Sequence, residues 1–252
     1  MKKIQNLSLS VTIALLVTAC GGGSGSEKKD SPLNPSPTGN ISHNGTTYDT
    51  VTSPLTGKIW LDRNLGAARV CQSINDTACY GDYYQWGRNF DGHQDSKSST
   101  TRSLSERMNN VGSSFILASN SENKYDWVHT VDSDGSQRSA NWSKKDGTSV
   151  CPLGFRVPTL VELKAELIDM ASDNKQAKSA AYNSFLKVPF SGLHAYVSGQ
   201  IGREGRYSYL WTSSVENKRS FGIQIFNDGE SQFGYEYPTF RAEGFSVRCI
   251  KD

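Results

Sequence analysis

The stretch CPLGFRVPTLVELKAEL, residues 151–167, decides how the rest of the chain is read. A cysteine, a Pro-Leu-Gly turn and an arginine lead into a carefully started helix. Thr159 and Glu162 have the spacing of a capping box, in which hydroxyl and carboxylate satisfy amides that the first helical turn leaves without partners. Leu160, Leu163, Leu167, Met170 and Ala171 then fall on one helical stripe broad enough to face a core. The pattern predicts the chain's main helix over about 160–171, fading near Ser172. Such a segment either lines a site or closes a domain, and it is read here as the closing clamp.

Downstream, LKVPFSGLHAY, YSYLWTSSV, FGIQIF, QFGYEY and GFSVRCI alternate or run apolar over short lengths, as strands do. Asn227-Asp228-Gly229 between two of these runs signals a hairpin. Upstream, TTYDTVTSP and GKIWLDRNLG read as short strands around a Pro-Leu-Thr-Gly turn. Residues 91–150 are polar and read as long loops, pinned by apolar islands at FILA and around Trp127. One helix with several short antiparallel strands is an α+β pattern.

The first residues carry the cellular address. MKKIQNLSLSVTIALLVTAC has two lysines, an apolar run from Val11 to Val17, and small residues before Cys20. This is the pattern of a secretory signal over 1–19, too short to remain as a membrane-spanning anchor. Val17-Thr18-Ala19-Cys20 resembles a bacterial lipobox, which implies lipidation of Cys20 and anchoring through several acyl chains. Residues 20–45, rich in Gly, Ser and Pro, read as a flexible tether, and 46–252 as the folded domain. Gly21 in place of an aspartate points to the outer membrane, facing the periplasm or the cell surface.

Lys and Arg number 27 against 25 Asp and Glu, with no basic stripe, which argues against nucleic acid as the main partner. Beyond Cys20 the cysteines are Cys71, Cys79, Cys151 and Cys249, and in an exported domain an even number implies disulfides. Four cysteines allow three pairings. A local bridge could close the loop between Cys71 and Cys79, in which case Cys151 and Cys249 would be joined. The spacings contain no CxxC, and the four histidines are scattered, so a zinc site is not expected.

TGKIWLDRNLG, YGDYYQWGR, CPLGFRVPTLVEL, LWTSSV and GFSVRCIKD together resemble, in order, the blocks of the Fibrobacter succinogenes major paralogous domain over residues 54–252. That family is similar in pattern to the C-type-lectin-like fold, particularly its formylglycine-generating-enzyme branch. The resemblance implies that Arg156-Val157-Pro158-Thr159 is scaffold setting the helix against the sheet. It favours pairing of Cys151 with Cys249. It brings no established activity, and copper-dependent formylglycine generation would need a reactive cysteine pair that this chain does not offer.

No G-x-S-x-G elbow or H-E-x-x-H helix suggests an enzyme. Asp132 and Asp134 lie in an Asp-Ser-Asp-Gly turn that could hold calcium, but the remaining loop ligands are missing, so no cofactor is expected. Trp60, Trp86 and Trp211 sit in the blocks above and are expected in the core. Trp127 and Trp142, with Asp132 and Asp134 nearby, are the candidate ligand contacts on the long loops. The expectation is a lipid-anchored binding or adhesion domain whose partner is a glycan or a protein. The alternatives are a structural envelope protein without a soluble ligand and a hydrolase of envelope polymers.

Overall fold

Folding begins inside the expected tether. Asn44 and Gly45 both take the left-handed conformation, φ 48° and 79°, that a two-residue hairpin turn demands. They join β1 (Ile41–His43) to β2 (Thr46–Tyr48), with His43 opposite Thr46. The ring Nε2–H of His43 donates to the Val150 carbonyl (2.8 Å), tying the hairpin to the domain. Ordered structure therefore starts before residue 46, and the Asn-Gly pair was the signal for it. The computed structural model describes residues 39–118, 126–168, 181–216, 219–229 and 231–252. The expected signal segment over 1–19, Cys20, Met170 and Ala171 lie outside the described residues.

The chain continues through β3 (Thr50–Thr52), β4 (Ile59–Leu61), β5 (Tyr84–Gln85), β6 (Thr100–Thr101) and β7 (Phe115–Ile116). The helix α1 (Ser136–Trp142), β8 (Phe155–Arg156) and the helix α2 (Leu160–Leu167) come next. After β9 (Leu193–His194) and β10 (Ile201–Gly202) lie three long strands, β11 (Tyr207–Glu216), β12 (Arg219–Asn227) and β13 (Gln232–Thr239). Short strands β14 (Gly244–Phe245) and β15 (Ile250–Lys251) follow.

These strands form a three-stranded sheet β11-β12-β13, two four-stranded sheets, β3-β4-β15-β8 and β10-β9-β14-β5, and two small pairs. All pairings between named strands are antiparallel except β6 with β7. With two short helices this is an α+β architecture. The expected turn at Asn227-Asp228-Gly229 does close the β12–β13 hairpin, where Asn227 pairs with Gln232.

The stretch around α2 is the clamp. Thr159 caps the helix and completes the capping box: its hydroxyl accepts from the Glu162 N–H (3.3 Å), and the Glu162 carboxylate accepts from the Thr159 N–H (2.9 Å). Arg156 grips both Glu162 oxygens (2.8 and 2.7 Å) and reaches Asp252 near the last residue of the final strand (2.6 Å). That fork holds Glu162 down to about 2. The Pro158 carbonyl accepts from the Ser213 N–H on β11 (2.8 Å). Cys151 and Cys249 are bonded, as are Cys71 and Cys79.

Two expectations are corrected here. The helix stops at Leu167 rather than near 171, because Ile168 turns extended (φ −120°, ψ 126°) and drives its side chain beneath Gly234 of β13. Residues 91–150 are not loops alone, since they contain α1. Its first turn is not capped by its own N-cap residue, Gly135. The carboxylate of Asp132 serves instead, accepting from the Gln137 and Arg138 amides (2.8 and 3.1 Å).

Candidate functional site

The sequence YSYLWTSSV alternates aromatic and small or aliphatic residues, and alternation along a strand sorts side chains onto two faces. The register places Tyr207, Phe226 and Phe233 in one row, Tyr209, Gln224 and Tyr235 in the next, and Trp211, Gly222 and Tyr237 in a third. All nine positions belong to the same face of the β11-β12-β13 sheet. The opposite face presents Leu210, Ile223 and Ile225, which pack with Leu163, Leu167 and Ile168 of the α2 region. On that side Lys164 also pairs with Glu236.

The aromatic face is graded in depth. Trp211 and Tyr209 are fully buried beneath Phe245, with ring centroids 4.2 and 4.8 Å away. Tyr207, Phe226, Phe233 and Tyr237 are half-buried, and Tyr235 is 40% exposed. Tyr207 stands 4.9 Å from Phe226, and Tyr209 stands 5.6 Å from Tyr237. Tyr207 and Tyr237 are therefore seated on the buried Tyr209 ring, 5.9 and 5.6 Å away, which sets their orientation before any partner arrives. A partly wet aromatic surface with an amide, Gln224, in its middle can stack on and hydrogen-bond to a ligand with both apolar faces and hydroxyl edges.

One end of this face is bordered by the turn before β11. Arg203 donates to the Tyr209 hydroxyl (2.6 Å), and its guanidinium lies 5.4 Å from the Tyr207 ring centre. Arg206 lies 5.6 Å from the Phe226 ring centre. Burial pushes the Tyr209 phenol up to about 12, so it stays neutral and accepts from Arg203. Apart from Trp211, expected in the core, these face residues escaped the sequence reading, because only strand register shows which alternating aromatics share a side.

The loop residues expected to bind a ligand are placed differently. Trp127 and Trp142 are fully buried, and their indole N–H groups donate to the carbonyls of Trp86 (2.8 Å) and Arg88 (3.2 Å). They are core pins, as Trp60, Trp86 and Trp211 are. Asp132 is also turned inward: besides capping α1 it accepts from Arg138 Nε at 2.9 Å. Arg138 forks onto both oxygens of Asp126 at 2.7 Å, and Arg241 reaches the same carboxylate at 3.1 Å. A side chain at Gly87 would lie 2.5 Å from the Arg138 Cβ, so this network needs glycine there. Asp134 is exposed; its side chain accepts from the Ser136 amide and hydroxyl, and its carbonyl from Arg241 (2.8 Å). Among the described residues no three His, Cys, Asp or Glu side chains are grouped to hold a metal ion.

A cleft of about 210 Å³ lies elsewhere, lined by Asp82, Asp95, Tyr48, Tyr84, Phe90 and His43 among others. Burial pushes the Asp82 carboxyl up to about 6, against the hydroxyl bond from Tyr84 (3.1 Å). In this cleft His43 Nε2–H donates to the Val150 carbonyl, and burial lowers the pKa of the ring. His93, paired with Asp91 at 2.5 Å, has its other nitrogen occupied by the Gln85 amide (3.0 Å) and is fully buried. Burial lowers it to about 4, so it stays neutral.

Comparison with protein-family models, with curated proteins and with solved structures gave no match.

Proposed function

We propose that the chain is a lipid-anchored envelope lipoprotein whose domain is a binding or adhesion module, and that it contacts a glycan through the aromatic face of the β11-β12-β13 sheet. The lipobox pattern at Cys20 and the Gly/Ser/Pro tether support the address. The five ordered sequence blocks support membership of the Fibrobacter succinogenes major paralogous domain family and a C-type-lectin-like arrangement. One observation carries the choice of surface: Tyr207, Phe226, Phe233, Tyr235 and Tyr237 stand on one face, each with solvent access. A sheet that needed only a core would cover such rings, since burying each contributes about 1.5–3 kcal/mol.

The test is a glycan array probed with the full chain in detergent, followed by titration of the strongest polymer. Tyr235→Ala with Phe233→Ala weakens that binding by roughly tenfold, the scale of one or two ring contacts. Retained affinity in the double variant, with an unchanged melting temperature, would remove the aromatic face from the function.

A further inference from the structure

Resting on that reading, we infer that the aromatic face takes an anionic polysaccharide, its sugar rings stacked on the tyrosines and its carboxylate or sulfate groups held by Arg203 and Arg206. Both arginines are exposed, and among the described residues neither makes an ion pair with a carboxylate. Each guanidinium is laid against a ring of the face, at 5.4 Å and 5.6 Å from the ring centres. Arg203 spends one N–H on Tyr209, and a guanidinium has five donors in a planar fork suited to an oxyanion.

The turn that carries them is held rigidly. The Tyr207 amide donates to the Arg203 carbonyl (3.0 Å), the Gly205 amide to Phe190 (2.8 Å), and the Asn227 amide to the Arg206 carbonyl (2.9 Å). Arg203 itself sits at φ 67°, in the left-handed region a long side chain rarely takes. Strain of this kind persists where the surroundings over-determine a position, and it concentrates at ligand clamps.

Among the described residues no nearby acid is ion-paired with either arginine. Glu204 lies close enough to Tyr80 and Tyr83 to raise both phenols, whereas Glu236 is paired with Lys164 on the opposite face. Glu243 feels Arg203, but burial lifts its carboxyl to about 7, so near neutral pH it is only partly ionised. The cationic edge borders the aromatic rows, with Glu204 carried on the same turn.

The experiment titrates the full chain in detergent with polygalacturonate and its fully methyl-esterified form, and with dextran sulfate and dextran. We expect at least tenfold tighter binding of a charged polymer than of its neutral partner, weakening as salt rises. The carboxylated and sulfated arms show which anion fits. Arg203→Gln with Arg206→Gln should weaken binding of the charged polymer at least tenfold more than binding of its neutral partner, and Arg206→Lys should retain part of the preference. If Arg203→Gln lowers the melting temperature, Arg206→Gln alone carries the test, because that side chain is exposed.

Equal binding of charged and neutral polymers, or a polyanion affinity indifferent to both arginine changes, overturns the inference and leaves the glycan-binding face standing. An equal loss toward both polymers overturns it too, by making the arginines merely structural. Polymer binding that ignores Tyr235→Ala instead removes the face itself, and the inference with it.

Discussion

Two helices start with an arginine locked to carboxylates, and they do so under opposite conditions. At α2, Arg156 and Glu162 meet at the rim, with 13% and 15% of their side chains exposed. At α1, Arg138 meets Asp126 and Asp132 with 1%, 10% and 0% exposed. The bonds have similar lengths, 2.7–2.9 Å in both places. Their removal has different consequences. Water can replace Arg156, whereas without Arg138 two carboxylates would stay out of water, Asp126 with Arg241 as its remaining cation and Asp132 with the α1 amides. A similar ion-pair geometry thus serves as local reinforcement in one helix and as an obligatory core element in the other.

The largest effect should come from breaking the buried member. Arg138→Ala is expected to destabilise the domain by about 3–5 kcal/mol in denaturant titrations, the range for removing one partner of a buried pair. Arg138→Lys should recover little, since an ammonium cannot fork onto Asp126 while also reaching Asp132. A loss below about 1 kcal/mol would show that water already reaches these carboxylates and would erase the contrast.

Next comes the covalent part of the clamp. Cys151 and Cys249 are 98 residues apart and Cys71 and Cys79 only 8. Loop-closure entropy sets ceilings of about 4.7 and ~2.5 kcal/mol for the two bridges. The paired serine variants, Cys151→Ser with Cys249→Ser and Cys71→Ser with Cys79→Ser, should therefore differ in melting temperature, with the long bridge costing more. The reverse order would place the stabilisation in local native packing around Cys79.

The smallest effect is a pH dependence. Glu162 sits at about 2 in the folded domain against 4.5 as its ordinary value. A depressed carboxylate contributes stability above its unfolded pKa, and this is lost as pH falls from about 4.5 toward 2. Glu162→Gln should flatten that acid limb by about 1 kcal/mol, because partial exposure screens the pair. High salt should mimic the substitution at Glu162 and leave the Arg138 network untouched. An acid limb of unchanged steepness in Glu162→Gln would assign acid sensitivity to other carboxylates.

What could be read early had short-range causes. Thr159 and Glu162 announce a helix start because their partners lie within one turn. The Asn227-Asp228-Gly229 hairpin is equally local. Asn44-Gly45 carried the same information and extends the fold to Ile41. The helix end was misplaced because Leu167 to Ala171 continues the apolar stripe, while the space beneath Gly234 that draws Ile168 out of the helix belongs to another strand. Helix α1 was missed because its cap comes from Asp132, upstream of the usual N-cap position. Trp127 and Trp142 looked like candidate contacts only because polar residues surround them in sequence.

By itself the sequence determined the α2 start, the hairpin turns, the cysteine count and the strand-like alternation, since each depends on neighbours a few residues away. Tertiary structure alone decided which tryptophans are buried, which arginines are taken out of water, and which aromatics share an open face. Those outcomes depend on strand register and on contacts between distant segments, and a strand slipped by one residue would exchange the aromatic face with the aliphatic one.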